Sequence, residues 1–219
     1  MFFKLTLDLA TPFYMRNRLT LDGLLSAAIH NQTGKRGLET VEHIPLAREH
    51  GIFKGSSIFC HPRYRHQRFD RVMTLQSERD LSTSLFQPNA RGGRYGRIDQ
   101  RREAYKTNLD SYDGIDVREV YFWGEGDPDR CTFLIEHFIH GIGKRANTGA
   151  GQIIGVRAQE IGKDYSWVTP KMVPARPLPA HVWAAMGLPE ALVGPAVVSL
   201  PYWETAPVDA VFPTVWSLA

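Results

Sequence analysis

Cysteine is nearly absent from this sequence. Cys60 and Cys131 are the only two among 219 residues, far apart and outside any Cys-x-x-Cys pair. That excludes a disulfide scaffold and the usual zinc frameworks. Cys60, His61 and His66 are neighbours but lack the tight ligand spacing of a metal centre, so both cysteines read as structural and neither metal nor cofactor is expected. Long apolar runs are missing as well, none approaching the roughly 20 residues a membrane helix requires. At the start, Phe3, Leu5, Leu7 and Leu9 alternate with Lys4, Thr6 and Asp8, the pattern of a strand rather than a signal peptide. A cytoplasmic protein without membrane partners is the expectation. A dominant charge is lacking too, the formal net charge of +3 being too small to argue for a nucleic-acid partner. What is there is globular: 43% apolar and 22% charged residues, in a chain long enough to bury a sizeable core.

The charge that exists is concentrated. Residues 61–106 hold eleven Lys/Arg against five acids, leaving the remainder net acidic. Within this stretch Arg63-Tyr64-Arg65-His66, Arg68-Phe69 and Arg91-Gly92-Gly93-Arg94-Tyr95-Gly96-Arg97 interleave cations with rings and glycines. Guanidinium groups fork onto phosphates and stack on bases, and tyrosines give sequence-tolerant stacking platforms. Arg63, Arg65, Arg68, Arg91, Arg94, Tyr95 and Arg97 are therefore candidate RNA contacts, weighed against an ordinary solvated basic loop.

Along the chain the first strand ends before Pro12. Thr20 or Asp22 then caps a helix with apolar residues Leu21, Leu24, Leu25, Ala28 and Ile29, ending near Gly34. Residues 44–46 and 51–60 suggest a strand pair or hairpin, residues 117–123 a further strand. Asp127-Pro128 opens a second helix over 131–139, and residues 152–161 read as a last strand. The order strand, helix, strand, strand, helix, strand is an α+β, ferredoxin-like βαββαβ plan. The expected organisation is a core over 1–162, interrupted by a basic insertion at 60–106. A proline-rich extension over 163–219 packs on it as an extended tail, with 196–200 its best strand. The five tryptophans are expected in the core or at subunit contacts.

The most specific signal lies between the second helix and the last strand: His140-Gly141-Ile142-Gly143-Lys144-Arg145-Ala146-Asn147-Thr148-Gly149-Ala150-Gly151. It nearly fits G-x-G-x-x-G/A, but a dinucleotide site needs that turn after a strand and before a helix, the reverse of the order here. A phosphate loop of the Walker type needs Ser or Thr after Gly-Lys, where this chain has Arg145. Glycines in such a turn permit positive φ and close backbone approach, and its amides suit phosphates, as do Lys144 and Arg145. A helix C-cap alone would explain Gly141, but not four glycines around two cations. Gly141, Gly143, Lys144, Arg145, Gly149 and Gly151 are the leading RNA-binding candidates.

This loop, in this position, resembles the glycine-rich loop of the RAMP superfamily of RNA-binding CRISPR proteins. Leu21-Asp22-Gly23-Leu24-Leu25-Ser26-Ala27-Ala28 is similar to the L-D-G-L-L-A opening of the first helix in RAMP subunits that cap the guide RNA's 5′ end. With its size and basic insertion, the chain looks like the Cas-family-five-type subunit of type IV (Csf) effector complexes, the likeness covering the core to about residue 162. The resemblance implies a noncatalytic subunit that seats the 5′ handle of CRISPR RNA at one end of a filament of backbone RAMP subunits, with a thumb-like insertion near the spacer boundary. It further implies contact with the large subunit, target DNA near the thumb, and a recruited DinG-family helicase.

Some relatives cleave precursor CRISPR RNA, using His, Tyr or Lys to move protons during 2′-hydroxyl attack. His30, at the end of the first helix, is the alternative catalytic residue, with His43 and His50 behind it. A metal-independent endoribonuclease is thus the rival to the noncatalytic expectation, in which no residue is catalytic. An assembly protein whose glycine loop binds protein is a third. His140 is open between an RNA contact and burial.

Overall fold

The computed structural model describes residues 1–15, 18–73, 88, 92–93 and 108–218. The chain belongs to the α+β class, with antiparallel sheets and few helices among the described residues. It divides into two compact units, Met1–Gln67 with Gly114–Ala219, and Arg68–Asp113.

In the larger unit, strand β1 (Phe2–Leu9) places Phe3, Leu5 and Leu7 on one face, all fully buried. That burial, worth about 1.5–3 kcal/mol per large apolar side chain, follows directly from the alternation. Short segments come next in the chain: β2 (Phe13–Tyr14), helix α1 (Leu21–Thr33), helix α2 (Leu38–Val41), β3 (Arg48–Glu49), β4 (Ile52–Phe53) and β5 (Phe59–Cys60). Strands β6 (Arg65–Met73) and β7 (Asn108–Asp116) precede β8 (Glu119–Glu125), helix α3 (Pro128–Phe138) and β9 (Ile153–Glu160). The central sheet runs β5-β8-β1-β9, every neighbouring pair antiparallel. Strands β2, β7 and β6 form a second sheet in that order.

Helices α1 and α3 pack together and onto the central sheet, burying Leu21, Leu25, Ala28, Ile29, Cys131, Leu134 and Ile135. Thr20, not Asp22, caps α1: its Oγ1 accepts from the Gly23 amide at 3.3 Å, and Gly34 at φ 75° ends the helix by donating to the His30 carbonyl. Asp127 caps α3 by accepting from the Arg130 amide at 3.0 Å, with Pro128 in the first turn. On the sheet's opposite face Phe59, Tyr121 and Trp123 stack within about 6 Å of one another, flanked by Tyr165 and Ala175 from the C-terminal segment.

Two expectations need correction. The strand pair or hairpin read from residues 44–46 and 51–60 is a hairpin, but a minimal one with other bounds. Arg48 faces Phe53 and Glu49 faces Ile52, around His50 and Gly51 at φ 49° and 76°. Both central residues at positive φ make the turn that matches strand twist. Leu46 makes only an isolated bridge to Gly126, and Phe59–Cys60 leave to pair with β8. The C-terminal segment is likewise more regular than an extended tail. It forms β10 (Leu178–Pro179), helix α4 (Ala180–Ala185), β11 (Val193–Ala196) and β12 (Val208–Val211), with sheet order β10-β12-β11. Pro179 and Pro195 sit in the two edge strands, where a missing amide is tolerated, while central β12 has no proline. The expected strand at 196–200 therefore lies earlier. Its Val198 instead joins Ile52, Trp167, Leu178 and Trp183 in a separate buried cluster.

Candidate nucleic-acid interface

The glycine loop follows α3 and leads into β9, pinned on both sides. Ile142 donates to Gly151 O at 2.9 Å, Lys144 N–H to Tyr14 O at 2.6 Å, and Gly151 N–H to Pro12 O at 2.8 Å. Thr11 Oγ1 donates to Gly149 O at 2.6 Å and accepts from the Gln152 amide at 2.9 Å. Such crossings leave no room for side chains: a Cβ would lie 2.5 Å from Tyr14 O at Gly143 and 2.3 Å from Ile142 O at Gly151. Both residues also sit at positive φ, so two of the four glycines are required by the loop's own packing. Arg145, at φ 71°, is a non-glycine in the left-handed region and opens a 3-10 turn over Ala146–Thr148. Lys144 is exposed and Arg145 half-buried on this turn.

The loop is paired to neighbouring backbone within its own unit. Lys144 bridges Tyr14 in β2, and β2 shares a sheet with β7 and β6, the strand that begins at Arg65. Arg63 and Arg65 are exposed. In the smaller unit Arg68 is committed: its Nε donates to Asp70 Oδ1 and its Nη2 to Ser111 Oγ, both at 3.0 Å. The Ser111 hydroxyl and Arg68 together hold the Asp70 carboxyl below its ordinary pKa. Arg91, Arg94, Tyr95 and Arg97 lie outside the described residues. His140 is exposed, its carbonyl accepting from the Ile153 amide.

His30 occupies the last turn of α1, where its Nδ1 donates to the Lys35 carbonyl at 2.8 Å. Its other ring nitrogen therefore carries the lone pair when the ring is neutral. Of the lesser candidates, His43 is hydrogen-bonded to Lys35 and His50 belongs to the β3–β4 turn. Both cysteines are buried, which pushes each thiol up to about 12. Neither is a reactive thiolate. Among the described residues no cluster of His, Cys, Asp and Glu is arranged to hold a metal ion, and no helix is long and apolar enough to cross a membrane.

Sequence inspection missed a buried polar centre. Asp22 and Arg176 are both fully buried, with Arg176 Nη2 3.3 Å from Asp22 Oδ2. Arg176 also donates to the carbonyls of Phe53, Gly55 and Val198 and to the Tyr202 hydroxyl, which donates to Asp22 at 2.8 Å. Burial opposes the guanidinium charge, but Asp22 and Tyr202 overcome it and raise the Arg176 pKa, while burial and then Asp22 push Tyr202 up. This centre ties the C-terminal segment to the opening of α1. Beside it lies a cleft of about 1650 Å³ along α1, whose walls include Arg18, Ser57, Gly23, His30, Arg36 and Trp203. The only sequence signal was the conspicuous Asp22 in an otherwise apolar helix opening. Its partner, 154 residues away, left none.

No protein-family model and no curated protein matches this chain. What the fold and site define is an α+β protein with a pinned, cation-bearing glycine loop.

Proposed function

We propose that the chain is a noncatalytic guide-RNA-binding subunit of a type IV CRISPR (Csf) effector, built on a ferredoxin-like RAMP core. The observation that carries this reading is the loop. Lys144 and Arg145 ride on a turn fixed by backbone bonds to Tyr14 and Pro12, between the second long helix and the last strand of the central sheet. The sheet order β5-β8-β1-β9 with α1 and α3 packed together supports the ferredoxin-like assignment. In this role Lys144, Arg145 and the backbone at Gly141, Gly143, Gly149 and Gly151 hold phosphates of the 5′ handle. Arg63, Arg65 and the other cations of the insertion guide RNA or target DNA. Backbone-filament subunits, the large subunit and a DinG-family helicase are the protein partners.

The test is a Lys144→Ala/Arg145→Ala variant titrated with repeat-derived single-stranded RNA over a range of salt. Binding weakened at low salt, with a shallower salt dependence, is expected; binding and assembly indistinguishable from the parent would count against the loop.

A second reading, a metal-independent endoribonuclease, draws on His30, whose ring is oriented by the Lys35 carbonyl at the wall of the cleft. Incubation of the chain with repeat RNA in EDTA separates the two. Intact RNA is expected, and cleavage lost in His30→Ala would establish the enzyme instead.

A further inference from the structure

The cleft along α1 holds a cation, Arg18, with no counter-charge among the described residues. Arg18 lies with its guanidinium 4.3 Å from the Trp216 ring centroid and 5.9 Å from that of Phe59, and burial lowers its pKa to about 10. Its Nη1 is buried and, among the described residues, makes no hydrogen bond and pairs with no carboxylate. Ser57, whose backbone bridges Thr20, also lines the cleft, and its fully buried hydroxyl is equally without a partner. Buried polar groups are ordinarily satisfied, so two orphans on residues that line one cleft point to an acceptor supplied from outside. An anion with several oxygens serves both, since Arg18 and Ser57 each offer a proton.

The remainder of the cleft narrows the class of ligand. Lys35 and Arg36 add two cations. The two carboxylates present are already engaged, Glu39 accepting from the Arg36 amide and Glu204 from the Trp203 indole. Trp203 is 68% exposed at the wall, an aromatic face with its polar edge tied down, as a stacking platform requires. The small residues Gly23 and Ala27 of α1 also line it. A volume of about 1650 Å³ exceeds what a bare phosphate fills. Phosphate oxygens on the half-buried Arg18 and its neighbouring cations, and a flat ring on an exposed indole, together describe a nucleotide unit.

We propose that this cleft binds a single strand of nucleic acid, a phosphate seated against Arg18 and Ser57 and a base stacked on Trp203. It shares no residue with the glycine loop. The choice of RNA as probe rests on the guide-RNA reading, whereas the chemistry of the cleft does not.

The experiment is photocrosslinking of the full chain to an eight-nucleotide oligouridylate carrying 5-iodouridine, with the adducts located by peptide mass spectrometry. An adduct in the peptide containing Trp203 is expected. Trp203→Ala, which removes an exposed ring and leaves the core intact, should weaken oligouridylate binding about tenfold or more, and Arg18→Gln should do likewise with the fold verified by circular dichroism. Excess inorganic phosphate should compete only weakly, because it cannot stack. Adducts confined to residues 61–106 and 141–151, with Trp203→Ala binding unchanged, would overturn the proposal. So would displacement of the oligonucleotide by an acidic peptide of equal charge, which would assign the cleft to a protein segment. The loop is tested separately: loss of loop adducts in Lys144→Ala/Arg145→Ala with the Trp203 adduct retained would leave the cleft standing, and the converse would leave the loop.

Discussion

The glycine loop and the α1 cleft belong to the same compact unit and present their cations by opposite means. In the loop, twelve consecutive residues make the whole feature, with Lys144 held up to solvent by backbone bonds to Tyr14. The cleft is assembled from residues 18–57 and 177–213, and its key cation, Arg18, is sunk against two rings. Exposed cations contribute through long-range attraction that salt screens; a desolvated one contributes through directed hydrogen bonds that salt reaches less. The loop is thus suited to capture of any phosphate backbone, the cleft to holding one nucleotide in a fixed pose.

The largest expected effect breaks the cleft from behind. Asp22→Asn leaves Arg176 charged and uncompensated in the interior, a defect that typically costs about 3–5 kcal/mol, measured by urea denaturation. Asp22→Leu with Arg176→Met should recover much of that loss, because apolar replacement of a whole buried pair is often neutral. Recovery with the RNA-binding difference between loop and cleft preserved would show the centre to be structural.

Next in size are the glycines. Gly151→Ala should lower stability by about 2 kcal/mol, as it forces both a strained φ and a Cβ contact with Ile142 O. Gly149→Ala, at φ 92° but in open space, should cost about 1 kcal/mol. Equal effects at the two positions would contradict close packing as the reason for Gly151.

A comparable loss should appear in alkali without any mutation. Cys60 and Cys131 stay protonated in the fold up to about pH 12, against 9 in the unfolded chain. Their contribution is complete below pH 9 and drains away as the pH rises towards 12, since the unfolded chain releases its thiol protons first. At pH 10 each thiol should account for about 1.4 kcal/mol of lost stability. Replacing both by Ala should flatten the stability curve between pH 8.5 and 10, at some cost to its height.

The smallest effect sharpens the comparison most. Lys144→Ala/Arg145→Ala should reduce the logarithmic salt slope of RNA binding by about 1.4, or about 0.7 for each phosphate released. Trp203→Ala should lower affinity with the slope unchanged.

How much of this was readable in the sequence depends on how far apart the cooperating residues lie. The alternation of Phe3, Leu5 and Leu7, the Asp127-Pro128 cap and the Gly34 stop are local, and each appears where the pattern predicts an element. The loop is local too, although its glycines are explained as much by contacts with Tyr14 and Ile142 as by any ligand. The β10-β12-β11 sheet was hidden because its prolines read as breakers, and only the strand order shows that they occupy edges. Arg176 stands among prolines in the C-terminal segment, with no local pattern to mark it as buried. Nothing local reveals that its partner is Asp22, or that the segment carrying it walls a cleft with Arg18.

The measurement that bears most directly on the central claim is co-expression of the chain with a CRISPR array and its neighbouring genes, followed by affinity purification and sequencing of the bound RNA. The account predicts uniform guide RNAs with a common 5′ handle, recovered in a multi-subunit particle and lost with Lys144→Ala/Arg145→Ala. An RNA-free chain purified under the same conditions would contradict it.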